Sequence, residues 1–92
     1  MIGSIRHKGL KRFYEKGDVS KLNASHVSKI RLILTRLDAA ATPEELNVPG
    51  YGFHQLKGDL KNFWAVKVDK NFRIIFRFEG ENAQDVDYID YH

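Results

Sequence analysis

Apolar positions along this 92-residue chain recur first with a helical period and then, after about residue 50, with a period of two. The opening MIGSI is a short apolar stretch suited to a first or edge strand. In HKGLKRFYEKG, His7, Leu10, Phe13 and Tyr14 fall at helical spacing between basic residues, and Gly17 ends the pattern, which predicts a short amphipathic helix. From Asn23, a good N-cap, ASHVSKIRLILTRLDAA places Val27, Ile30, Ile33, Leu34 and Leu37 on one stripe, away from Lys29, Arg31 and Arg36. That predicts a longer helix. TPEEL carries its own start signal, with Thr42 as cap, Pro43 at the first helical position and Glu45 three residues after the cap, so one further turn is expected.

Beyond NVPGYG the alternation is that of strands. Phe53 to Leu56 form an extended run ended by the turn KGD, and NFWAVKVD and FRIIFRF are joined by the tight DKN link as a hairpin. Phe72, Ile74, Phe76 and Phe78 share one face of the second hairpin strand; Arg73, Ile75 and Arg77 share the other. EGEN turns the chain again and DVDYIDYH is the last strand, in which Val86, Tyr88 and Asp90 alternate with Asp87, Ile89 and Tyr91. Helices grouped before an antiparallel run give an α+β fold: an N-terminal strand and two to three helices packed on one face of a mainly antiparallel, twisted sheet, in a single domain spanning residues 1–92.

Composition narrows the function classes. There is no cysteine, so neither a disulfide nor a thiolate metal site is available. No run approaches the ~20 apolar residues of a membrane span, and the N-terminus lacks a signal-peptide core, so a cytoplasmic domain with no membrane contact is expected. The net charge of +3 is unevenly spread: residues 1–36 hold nine Lys/Arg against Glu15 and Asp18, while residues 51–92 hold six against seven Asp/Glu. A basic first third suits a polyanionic partner.

Of the four histidines, His7 and His26 lie within predicted helices among basic neighbours and read as surface residues. His54 and His92 fall in strands of one small sheet, where two imidazoles facing one groove could act as base and acid near neutral pH. Lys57 follows His54 by three residues, and Arg73 and Arg77 lie on the strand face opposite the phenylalanines. That open face could bind a phosphodiester, with arginine gripping two oxygens and lysine serving as a movable charge. RNA cleavage by 2′-hydroxyl attack needs only these parts and no metal. A zinc site would find at most three ligands in His54, Asp90 and His92, so no metal or other cofactor is expected. No HExxH, CxxC or glycine-rich phosphate loop is present. The period-two phenylalanines read as core in preference to a base-stacking platform.

The opening MIxSxxHKGLxxFxExG, the segment FHQLKGD, the pair FWAVKVDKNFRIIFRF and the ending DYH together resemble the HigB toxins of the RelE superfamily, from Met1 to His92. The resemblance implies a RelE-like microbial ribonuclease fold and a metal-independent messenger-RNA endonuclease of a type II toxin–antitoxin pair, cutting in the ribosomal A site and so inhibiting translation. It implies as partners a HigA-like helix-turn-helix antitoxin, the bacterial ribosome with its messenger RNA, and operator DNA only through the antitoxin complex. Carried over by residue, the functional positions are His54, Lys57, Arg73, Asp90, Tyr91 and His92. His92 is the expected base, His54 the acid or the reverse, and Lys57 and Arg73 the phosphate cations. Asp90 would orient His92, and Tyr91 would stack on a base or donate a hydrogen bond. Asp90, Tyr91 and His92 point one way only if the strand end is frayed or bulged. On the ribosome, Lys8, Lys11, Arg12, Lys29, Arg31 and Arg36 are the expected sequence-independent phosphate contacts. A ParE-like gyrase poison, or a decayed toxin kept for operon regulation, are the competing expectations.

Overall fold

The computed structural model describes residues 1–91. Two helices, α1 (Lys8–Lys16) and α2 (Val27–Ala39), precede four strands, β1 (His54–Gln55), β2 (Trp64–Lys67), β3 (Phe72–Glu79) and β4 (Asn82–Asp90), paired antiparallel in the order β1-β2-β3-β4. The first helix begins and ends where local chemistry says it should. The His7 ring caps α1 by accepting the Leu10 N–H at 3.0 Å, and Gly17, at φ 71°, closes it by donating to the Phe13 carbonyl. A short 3-10 turn capped by Asn23 leads into α2. Thr42 and Glu45 form the expected capping box over Pro43–Leu46.

The core lies between the helices and one face of the sheet. Leu10, Ile30, Ile33 and Leu37 pack there with Val66, Ile74, Phe76 and Val86, all fully buried, and Phe72 and Phe78 lie at its margin. No helix among the described residues is long and apolar enough to cross a membrane.

The expected N-terminal strand is reduced to two isolated parallel bridges, Ile2 to Ala83 and Ile5 to Val86. The cause is a bulge in β4: between the pairs Ile75–Asp87 and Arg77–Gln84 the register slips, with Asp85 in the left-handed region at φ 52°. Its amide turns to the Ser4 hydroxyl at 2.8 Å instead of a ladder carbonyl. The slip lets Ala83 and Val86, three apart, both face the core.

Two expectations are corrected. His26 is not a surface residue; it is 3% exposed, against the Phe72 and Tyr88 rings, with both ring nitrogens hydrogen-bonded. The sheet face opposite the helices is not fully open either, because Leu56, Phe63 and Leu60 fold over Ile75 and Ala65 as a second small core. Arg77 is drawn into ion pairs with Asp85 at 2.8 Å and Glu79 at 3.1 Å, and Arg6 joins Asp85 at 3.5 Å.

Candidate active site

Residues paired directly across neighbouring strands share a face. The row His54–Ala65–Ile75–Asp87 and the next row, Lys67–Arg73–Ile89, therefore look to the same side, away from the helices. Strand spacing puts the His54 and Arg73 backbones about 12 Å apart, two strands over and one row along.

His54 is exposed at the sheet edge. Its Nδ1 lies 2.9 Å from the Gly52 carbonyl. A carbonyl only accepts, so Nδ1 carries the proton and, in the neutral ring, Nε2 holds the free lone pair. Gly52 sits at φ 58°, and a Cβ there would come within 3.0 Å of the Lys67 side chain, whose stem crosses this residue. Glycine thus serves both the histidine and the lysine.

Arg73 is half-buried. Its Nη1 donates to the Asp69 carbonyl at 2.7 Å and the Phe72 carbonyl at 3.1 Å, and its Nε is buried with no acceptor. The guanidinium lies 5.6 Å from the Tyr91 ring centre. No hydrogen bond holds Nη2 among the described residues. The turn that grips Arg73 is folded by the Asp69 carboxylate, which accepts from the Asn71 and Phe72 amides at 2.9 and 2.8 Å. Those amides, with His26, hold the Asp69 carboxyl down at about 2.

The remaining expected residues divide. Tyr91, its amide bonded to the Asn71 carbonyl at 2.6 Å, joins Arg73 on the helix-free side. Asp90 opposes Phe72 on the helix side, so Asp90 and Tyr91 point apart as their alternation predicts; the bulge in β4 lies upstream, at Asp85. Lys57 is exposed at the start of the loop that covers Ile75, without a hydrogen bond among the described residues. His92 lies outside the described residues.

The expected basic stripe does not stay together. Lys29 and Arg36 both stand over the Tyr51 ring, at 4.8 and 5.8 Å, three residues before His54. Arg31 instead lies over Phe13, facing α1. Arg12 is paired with Asp18 at 2.9 Å, and Lys8 and Lys11 are exposed on α1. A cavity of about 380 Å³ between the helices, lined by Phe13, Tyr14, Arg31 and Leu34, lies behind the sheet and away from His54 and Arg73.

Lys67 is the residue sequence reasoning missed. It directly opposes Arg73, is exposed and makes no ion pair among the described residues. Like charges placed opposite one another destabilise a sheet, which suits a face that receives an anion. The hairpin register about DKN, worked through, would have revealed it. Among the described residues no group of three or more His, Asp or Glu side chains could hold a metal ion.

The model of a protein family described as RelE-like toxin of type II toxin-antitoxin system HigB matches residues 3–92. Endoribonuclease HigB of Proteus vulgaris is 42% identical over 92 residues, covering all of both chains. Toxin HigB-1 of Vibrio cholerae serotype O1 is 33% identical over 94 residues, covering all of this chain and 98% of that one. Among solved structures, the YoeB–YefM complex from Staphylococcus aureus aligns with a TM-score of 0.64 at 14% identity, over 100% of this chain and 98% of that one. The YoeB/ParE toxin from Agrobacterium tumefaciens aligns at 0.62 and 18%, over 100% and 99%. At those identities the structures speak for the fold alone.

Proposed function

This chain belongs to the HigB-like family of RelE-like toxins from type II toxin–antitoxin systems, and from that premise we propose how its helix-free face cuts RNA. It is an endoribonuclease toxin that cleaves messenger RNA, and as a toxin of a toxin–antitoxin system it has an antitoxin as its partner. The observation that carries the mechanism is the pairing of a tautomer-locked His54 with a clamped Arg73 on one open face.

His54 Nε2 takes the proton from a ribose 2′-hydroxyl. The resulting oxyanion attacks the adjacent phosphorus, the bond to the 5′-oxygen breaks, and that oxygen leaves with a proton from His92. The products are a 2′,3′-cyclic phosphate and a 5′-hydroxyl. The Gly52 contact aims His54 Nε2 outward in either protonation state; of the two orders left open by the sequence, we propose the one with His54 as base and His92 as acid. Each proton transfer supplies about 10²–10⁴-fold. Arg73 Nη2, Lys67 and Lys57 neutralise the charge growing on the phosphorane. Tyr91, beside Arg73, stacks on a base; Asp90, on the other side of the strand, acts only through the chain end.

Lys29 and Arg36, carried on Tyr51 next to β1, extend the phosphate track from the site, whereas Lys8, Lys11, Arg12 and Arg31 contact ribosomal RNA from the helix side. We propose that cutting requires the ribosome, in the cytoplasm, because His54 stands exposed at the sheet edge and gains its substrate geometry from the decoding site. We further propose that the antitoxin is a HigA-like helix-turn-helix protein that binds operator DNA with the toxin attached.

The test is translation of a defined messenger RNA on purified ribosomes, with 5′ ends mapped by primer extension, beside RNA alone and beside His54→Gln and His92→Gln. Cleavage in the A-site codon that needs ribosomes and is lost in both variants is expected. Intact messenger RNA from protein that still arrests growth would overturn the mechanism in favour of a gyrase-type target.

A further inference from the structure

His26 has no part in the chemistry above, yet it is the buried polar residue of the main core among the described residues. Burying an imidazole is unfavourable unless both nitrogens are satisfied. Here Nδ1 meets the Tyr88 hydroxyl at 2.5 Å and Nε2 meets Asp69 Oδ2 at 2.7 Å. The carboxylate oxygen only accepts, so Nε2 carries a proton; in the neutral ring Nδ1 then accepts from the Tyr88 O–H. Donation runs in one direction, from Tyr88 to His26 to Asp69.

These bonds join three separate elements: β4, the start of α2, and the turn between β2 and β3. Asp69 is where they meet the active face. One carboxylate oxygen is held by His26, the other folds the turn through the Asn71 and Phe72 amides, and the backbone carbonyl grips Arg73 Nη1 at 2.7 Å. The same turn accepts the Tyr91 amide at the Asn71 carbonyl. A change in the His26 bond therefore reaches both Arg73 and Tyr91. An apolar side chain at position 26 would fill the space without needing partners, whereas a fully bonded polar network specifies one arrangement.

We propose that His26 is a positioning residue: anchored by Tyr88, it sets the Asp69 turn and through it the direction in which the Arg73 guanidinium meets the phosphate. This role rests on the endoribonuclease mechanism above. Small misplacements of a charged group cost large factors in rate, so the effect belongs in the chemical step.

The test is a double-mutant cycle read by single-turnover cleavage on ribosomes, well below each variant's melting temperature. His26→Phe keeps the volume and removes both bonds. It is expected to lower the cleavage rate constant at saturating ribosome complex about tenfold with little change in half-saturation, and His26→Gln, which keeps a donor, is expected to recover part of it. In the Arg73→Ala background, His26→Phe should cost much less than tenfold, the remainder passing through Tyr91. Tyr88→Phe, which removes one hydroxyl and preserves packing, repeats the cycle if His26→Phe folds poorly; its smaller loss should likewise shrink without Arg73. Equal losses in both backgrounds, or full activity of His26→Phe or Tyr88→Phe, would overturn the positioning role while wild-type cleavage leaves the mechanism standing. Wild-type protein that leaves RNA intact would remove both.

Discussion

Replacing Leu56 by alanine tests whether the small core beneath the active face holds the site together. Leu56 is 6% exposed and packs with Phe63, Ala65 and Ile75. Removing its three outer carbons withdraws about 2.4 kcal/mol at ~0.8 kcal/mol per buried carbon. A cavity at the edge of a loop collapses in part, so a net loss of about 2–3 kcal/mol is expected. In a domain of this size that lowers the melting temperature by about 10–20 °C. Where the loss falls is more telling. The loop is closed by the Leu56 amide on the Phe63 carbonyl at 2.9 Å and the Phe63 amide on the Leu60 carbonyl at 2.8 Å. The same 2–3 kcal/mol raises the population of its open form by about 30–150-fold. Hydrogen exchange at those two amides should accelerate by that factor in Leu56→Ala. Leu37→Ala, in the main core at 0% exposure, should melt at least as early but leave those two amides much less affected. Cleavage should fall in Leu56→Ala, because His54 sits on a two-residue strand paired to β2 beside this loop, and Lys57 begins the loop itself. Equal exchange at these amides in both variants, or unimpaired cleavage by Leu56→Ala, would refute the reasoning.

Acid should destabilise the protein in a defined window. Backbone amides lower the Asp69 and Asp18 carboxyls to about 2, and the hydrogen bond from Arg77 lowers Asp85. Folded values below unfolded ones mean stability that is complete above the ordinary carboxylate range and is lost as pH falls from about 5 toward 2; Asp69→Asn should flatten the melting temperature over that interval, and a profile parallel to wild type would count against it. The salt dependence of binding gives the third expectation. If Lys29 and Arg36 contact RNA phosphates from their seats on Tyr51, replacing both by alanine should lower the slope of log affinity against log salt by about 1.4, at roughly 0.7 per single-stranded contact. An unchanged slope, measured on the ribosome–messenger complex, would move the phosphate track elsewhere.

The features legible from the chain alone lie within a few residues of their cause. The caps at Asn23 and Thr42, the stop at Gly17, the hairpin about DKN and the opposed directions of Asp90 and Tyr91 all follow from turn-length bonds and the pleat. His54, Lys57, Arg73 and Tyr91 were legible as candidates because their side-chain chemistry and strand parity are written locally, and the family resemblance gathered them. The rest depends on contacts whose partners sit far along the chain. His26 reads as a basic-helix surface residue until Asp69 and Tyr88, 43 and 62 positions away, satisfy its nitrogens and make burial tolerable. The first strand broke into two bridges because Ser4 captured the Asp85 amide, 81 positions on, at a bulge no periodicity announces. The open face narrowed because Leu56 and Phe63 found Ile75, and Lys67 joined the candidate site because strand register set it against Arg73. Period and capping are properties of a short segment; burial of a polar group and the register of a sheet are properties of the assembled whole.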